Sequence, residues 1–152
     1  MKGFFNHMEA TKAPKTQTST SARRSVSHGV GRRKSAIARV WLKRGKGTIT
    51  VNGKDYTAYF AEEIMHNAVN TPFRAYPGAA AHYNVVANIQ GGGLNAQADA
   101  LKLGIARAIF AVYEDARPFL KNYGLLTVDS RVKERKKYGQ KAARRKFQFV
   151  KR

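Results

Sequence analysis

"HYNVVANIQGGGLNAQADALKLGIARAIF", residues 82–110, is the stretch whose reading decides the fold. Over His82–Gln90, Tyr83, Val85, Ala87 and Ile89 alternate with polar or smaller neighbours, the two-residue period of a strand with one buried face. Gly91, Gly92 and Gly93 follow. Beyond them Ala98, Leu101, Ile105, Ile109, Val112 and Ala116 recur every three or four residues, which predicts a long helix from about Asn95. Pro118 and then Gly124 close that region. A strand that turns on glycine into a long helix is a building unit of α/β and α+β domains.

The glycine turn itself has two readings. Backbone amides freed of side chains at a helix N-terminus can approach a phosphate, but this spacing matches neither G-x-G-x-x-G nor a Walker loop with its Lys and Ser/Thr. A steric turn for close strand–helix packing is the favoured one.

Upstream, "KSAIARVWLK" over Lys34–Lys43 alternates strictly, with Ala36, Ala38, Val40 and Leu42 on a dry face and Ile37, Arg39, Trp41 and Lys43 on a basic, aromatic one. "TITV", Thr48–Val51, reads as a short strand turned by Asn52-Gly53, a dipeptide suited to a tight hairpin. Tyr59–Asn70 reads as a helix with Phe60, Ile64, Ala68 and Val69 on its stripe and Pro72 as its stop. "LLTVDS", Leu125–Ser130, offers a last strand. The expected architecture is an α/β (α+β) two-layer sandwich: a mixed sheet of about four strands with helices on one face, followed by a long basic C-terminal tail.

Charge divides the chain into three parts. Residues 1–45 carry 11 basic and 1 acidic residue and residues 131–152 again 11 and 1, while residues 46–130 carry 7 of each. The whole formal charge of +20 therefore lies in the two ends of a 152-residue, one-domain chain, and charge of that size self-repels unless a polyanion neutralises it. We expect a basic, disordered or extended N-terminal extension over 1–28, a globular domain over 29–130 and an extended basic tail over 131–152. In that tail Tyr138, Phe147 and Phe149 are interspersed among Arg131, Lys133, Arg135, Lys136, Lys137, Lys141, Arg144, Arg145, Lys146, Lys151 and Arg152. Cations neutralise phosphates and flat rings stack on unpaired bases, so this mixture points to RNA. Arg32, Arg33 and Lys34, with Arg39, form a second basic cluster at the mouth of the first strand.

Other chemistries find little support. The chain has no cysteine, and His7, His28, His66 and His82 show no metal-ligand spacing. Glu62-Glu63 and Glu114-Asp115 are neighbours that point apart on a helix, the arrangement of a solvated face and not of a catalytic dyad. No cofactor and no small-molecule substrate is expected. Ala75–Ala98, the longest stretch without charge, contains Pro77 and three consecutive glycines and cannot span a membrane. The Ser-, Thr- and Lys-rich composition of residues 10–27 is shared by disordered tails and organelle transit peptides.

Three blocks carry a family resemblance: "GRRKSAIARV" at 31–40, "GGGLNAQADALKLGIARAI" at 91–109 and "SRVKERKKYGQKAARRKFQFVKR" at 130–152. With them the chain resembles the ninth protein family of the small ribosomal subunit, in its bacterial and organellar form, from about Gly29 onward. The resemblance implies a non-enzymatic protein in the subunit head, with a left-handed β-α-β crossover that departs from the usual right-handed rule. Its implied partners are small-subunit ribosomal RNA, peptidyl-site transfer RNA and neighbouring head proteins, and its implied place is the ribosome of a bacterial cytoplasm or an organelle. Arg131 to Lys146 would line the RNA path, Lys151 and Arg152 would approach the transfer RNA, and Gly91–Gly93 would be a packing turn beside RNA. Asp99 stands where a small neutral residue is expected and Leu103 where a polar or basic one is common. Residues 1–28 find no counterpart. Two other readings share the small basic α/β form: the protein subunit of an RNA-processing ribonuclease, and a general nucleic-acid-binding protein.

Overall fold

A hairpin begins the structured part of the chain. Strand β1 (Ser27–Arg33) turns at Lys34, whose φ is 52°, and returns antiparallel as β2 (Ala36–Arg44). The computed structural model describes residues 25–149, so the N-terminal extension as far as residue 24, and Lys151 and Arg152, lie outside the described residues. Strand β3 (Ile49–Val51) turns through Asn52 and Gly53, both at positive φ, into the short edge strand β4 (Lys54–Asp55). After two helices the chain re-enters the sheet as β5 (Tyr83–Gln90), antiparallel to β2 and parallel to β3. The order is β1-β2-β5-β3-β4, a mixed sheet of five strands among the described residues instead of about four.

β2 and β5 obey the expected alternation. Ala36, Ala38, Val40 and Leu42 are buried, as are Tyr83, Val85, Ala87 and Ile89. Helix α3 (Leu94–Phe110) lies over that face, with Leu101, Ile105 and Ile109 inaccessible to solvent. It ends at Phe110, earlier than its apolar period suggested. A 3-10 turn, Glu114–Ala116, and a short helix α4 (Arg117–Asn122) with Pro118 in its first turn follow separately.

β1 was not legible as a strand because its buried positions are Gly29 and Gly31. They let α3 come close enough that a Cβ at Gly31 would run into the Ala100 carbonyl and the Gly104 amide. Ser27 Oγ adds a bond to the Ala108 carbonyl at 2.8 Å.

The expected first helix is two elements. α1 (Tyr56–Tyr59) is a single turn capped by Asp55, which accepts from the Thr57 amide at 2.9 Å. Phe60 then takes an extended conformation and buries fully before α2 (Glu63–Ala75) begins. The buried stripe of α2 is Met65, Val69, Pro72 and Ala75. Ile64, expected inside, is 76% exposed. Pro72 does not stop the helix, because its ring packs into the core and burial offsets the lost backbone bond. Leu125–Ser130 forms no strand: Leu125 is buried, but the residues after it are irregular. No helix among the described residues is long and apolar enough to cross a membrane.

The glycine turn shows why three glycines are needed in unequal measure. Gly91 and Gly92 have φ of 72° and 67°, and a Cβ on them would lie 2.5 Å from the Ser35 carbonyl oxygen and 2.9 Å from the Ala36 Cβ. Gly93 has an ordinary φ of −96°, meets nothing within 4 Å, and caps α3. Gly91→Ala and Gly92→Ala should each cost about 1–3 kcal/mol, since an L side chain is strained there and the neighbours are backbone or tightly packed. Gly93→Ser should be neutral or stabilising, because serine accepts from a first-turn amide. Urea midpoints of the three variants check this ordering.

Candidate nucleic-acid interface

Among the described residues, the sheet is covered on one side only. Its other side, formed by β1, β2 and β5, carries the side chains that alternate with the core: Arg32 opposite Ile37, Arg39 between Val30 and Asn88, Trp41 between His28 and Val86, and Lys43 opposite Asn84. Neither Asp nor Glu occurs in these three strands. Arg32 and Arg39 are exposed, and Lys34 is exposed on the hairpin turn beside them. Trp41 is half-buried, its ring 5.4 Å from that of His28 and tilted by 43°. Cations, one large aromatic and neutral amides thus share an open, carboxylate-free surface.

Arg33 is placed differently from its neighbours in sequence. Successive strand residues point to opposite sides, so Arg33 turns toward the helix layer while Arg32 faces out. Its side chain is only 16% exposed and sits among the acids Asp99 and Asp129.

The arm, residues 131–149 of those described, is exposed nearly throughout and forms no helix or strand. Gly139 at φ 67° starts a turn in which the Lys141 amide donates to the Arg145 carbonyl at 2.8 Å. Arg144 makes a forked pair with Glu134, which raises the arginine pKa. Arg131 forks onto Asp129 through Nε, at 2.9 and 3.0 Å, and Nη2. The Arg131 side chain and amide hold the Asp129 carboxyl well below the usual carboxylate range, with a smaller part from the charge of Arg33. Lys133, Arg135, Lys136, Lys137, Lys141, Arg145 and Lys146 are exposed, and none makes a salt bridge among the described residues. Tyr138 and Phe149 are essentially fully exposed and Phe147 is 66% exposed, so the described residues give these rings little apolar surface to bury against.

Sequence reasoning missed Arg107 and Asp129. Arg107, the one polar side chain between Leu103 and Phe110 on α3, donates to the Val30 carbonyl of the edge strand at 2.8 Å and to the Leu126 carbonyl at 3.3 Å. A lone arginine at half-buried helical depth was the available signal. Asp99, which departs from the family pattern, pairs with Lys102 at 2.8 Å and lies 3.7 Å from Arg33; Leu103 is buried.

Fold and site together define an α+β protein whose described residues present an uncovered cationic sheet face and a cationic, aromatic arm. Residues 31–152 match the family described as "Ribosomal protein S9/S16". Over 127 residues, 84% of this chain, it is 46% identical to "Small ribosomal subunit protein uS9" of Cytophaga hutchinsonii and 48% identical to the protein of the same name from Christiangramia forsetii, covering 98% of each. The chain belongs to this S9 family of small-subunit ribosomal proteins.

Proposed function

We propose that the protein is a non-enzymatic constituent of the small ribosomal subunit that neutralises ribosomal RNA phosphates in the subunit head with two surfaces and extends its last residues to transfer RNA. The first surface is the open sheet face with Arg32, Lys34, Arg39 and Lys43. The second is the arm, whose cations from Lys133 to Lys146 meet phosphates while Tyr138, Phe147 and Phe149 stack on unpaired bases. Lys151 and Arg152, beyond the described residues, are assigned the peptidyl-site transfer RNA contact. Neighbouring head proteins complete the set of partners. One observation carries the reading: among the described residues, the cations of the arm and of the open sheet face are exposed together with aromatic rings.

Two measurements test this function. In a sucrose gradient of cell extract the protein should travel with the small subunit. In competition binding, the purified chain should prefer a folded small-subunit ribosomal RNA transcript to duplex DNA of equal length; equal affinity would instead describe a general nucleic-acid binder. Trp41→Ala should weaken binding to the transcript by about 1–3 kcal/mol, the worth of one stacked base, while leaving its salt dependence unchanged. A loss that disappears at high salt would assign Trp41 no stacking role.

A further inference from the structure

The segment that joins the body to the arm has almost no structure of its own, yet arginines of the body hold its backbone. Among the described residues, no backbone–backbone hydrogen bond involves residues 126–140: the last before them joins Leu125 to Leu120 and the next joins Lys141 to Arg145. Buried or half-buried backbone needs partners, and here side chains supply them. Arg107 grips the beginning of the segment at the Leu126 carbonyl while anchored on Val30 of β1. Arg33 grips its end, donating through Nη1 to the Arg131 carbonyl at 3.1 Å and the Asp129 carbonyl at 3.4 Å. The same nitrogen lies 3.1 Å from the Asp129 carboxylate, and Arg33 Nε faces Asp99. Asp129 in turn draws back Arg131, the first cation of the arm.

We propose that Arg33 and Arg107 form a clamp that fixes where the arm leaves the body, which makes Arg33 a positioning residue and not a phosphate ligand. Both guanidiniums hold backbone carbonyls, and the Asp129 carboxylate adds a side-chain anchor for Arg33. A planar, five-donor fork suits this task, and an ammonium does not reproduce it. An arm with a fixed root searches less space before meeting its partner, so less ordering entropy opposes binding. That consequence rests on the RNA-binding function proposed above, whereas the clamp itself belongs to the free chain.

Because the chain has no cysteine, spin labels can be introduced at Glu63→Cys on α2 and Lys133→Cys at the arm root of the full-length protein. The pulsed electron–electron distance distribution should be narrow in this parent and clearly broader in Arg33→Gln and in Arg107→Gln. Asp129→Asn, a near-isosteric change at a half-buried residue outside every helix and strand, should broaden it as well and guards against loss of folding in the other two. Arg33→Lys should not restore the narrow distribution. On a small-subunit ribosomal RNA transcript, Arg33→Gln should bind roughly tenfold more weakly through the ordering cost, with an unchanged slope of log affinity against log salt. A slope shallower by about 0.9, the loss of one phosphate contact, would overturn the positioning role, as would distributions identical to the parent in all variants. If the parent itself fails to prefer the transcript over duplex DNA, the function above falls while the distance measurement still decides the clamp.

Discussion

Removing residues 131–152 is expected to lower affinity for small-subunit ribosomal RNA by several orders of magnitude at low salt and to flatten its salt dependence sharply. The segment holds 11 of the 29 basic residues and 1 of the 9 acidic ones, so its loss halves the formal charge from +20 to +10. If about ten phosphates are engaged, the intact chain should lose roughly three to five decades of affinity between 50 and 200 mM salt, because each contact releases condensed counterions. The truncated body should lose far fewer. It keeps the open-face cations and its whole core, whose last buried member among the described residues is Leu125. Its thermal unfolding should therefore stay close to that of the parent, which separates lost contacts from lost folding. Deleting only Lys151 and Arg152 should leave incorporation into the subunit intact and weaken peptidyl-site transfer RNA binding. Filter binding across a salt series, with subunit reconstitution, measures both. Equal losses in the two truncations would contradict a division of labour between arm and tip.

The truncation depends on charge placement, which is legible in composition alone. The alternation of β2 and β5 was equally legible, because burial on one sheet face imposes a two-residue period. β1 was not, since its inward positions are glycines and leave the apolar pattern blank where the packing is tightest. Ile64 misled because a helical stripe can be drawn through it at the same spacing as the true one through Met65, and only the extended Phe60 fixes the helix start. Leu125–Ser130 has strand-like residues, but arginine side chains take its carbonyls in place of a ladder.

At the site, Arg32, Arg33 and Lys34 read as one basic cluster. Pairing places Arg32 with Ile37 on the open face and Arg33 with Ala36 on the helix side. Strand periodicity alone separates these two arginines once β1 is known to be a strand. Asp129 was out of reach because Arg33, distant in sequence, meets it only through tertiary structure.

Gly31→Val is expected to leave the chain without a cooperative unfolding transition near room temperature. Gly31 faces the backbone of α3, so its Cβ would overlap the Ala100 carbonyl and lie 2.5 Å from the Gly104 amide nitrogen. Gly104 is itself packed against Val40 and comes within reach of the Gly31 amide, so neither side can yield independently. A flexible side chain could move aside, but here the obstacle is helical backbone, and relief requires lifting α3 from β1 and β2. Overpacking a core costs about 1–3 kcal/mol when neighbours adjust; rigid backbone puts valine above that range, against a total stability of only about 5–15 kcal/mol. Gly31→Ala, with a single methyl, should still lower the melting temperature by roughly 12–24 °C, taking about 3 kcal/mol at 4–8 °C per kcal/mol for a folded body of about 100 residues. Val30→Ala, one residue away on the open face, should shift it by little. Differential scanning calorimetry of the three variants decides the matter: similar melting temperatures for Gly31→Val and Val30→Ala would mean that α3 does not pack on bare backbone at Gly31. Since β1 carries Arg32 outward and Arg33 inward, lifting this strand would also unseat the open-face cation and the root of the arm together.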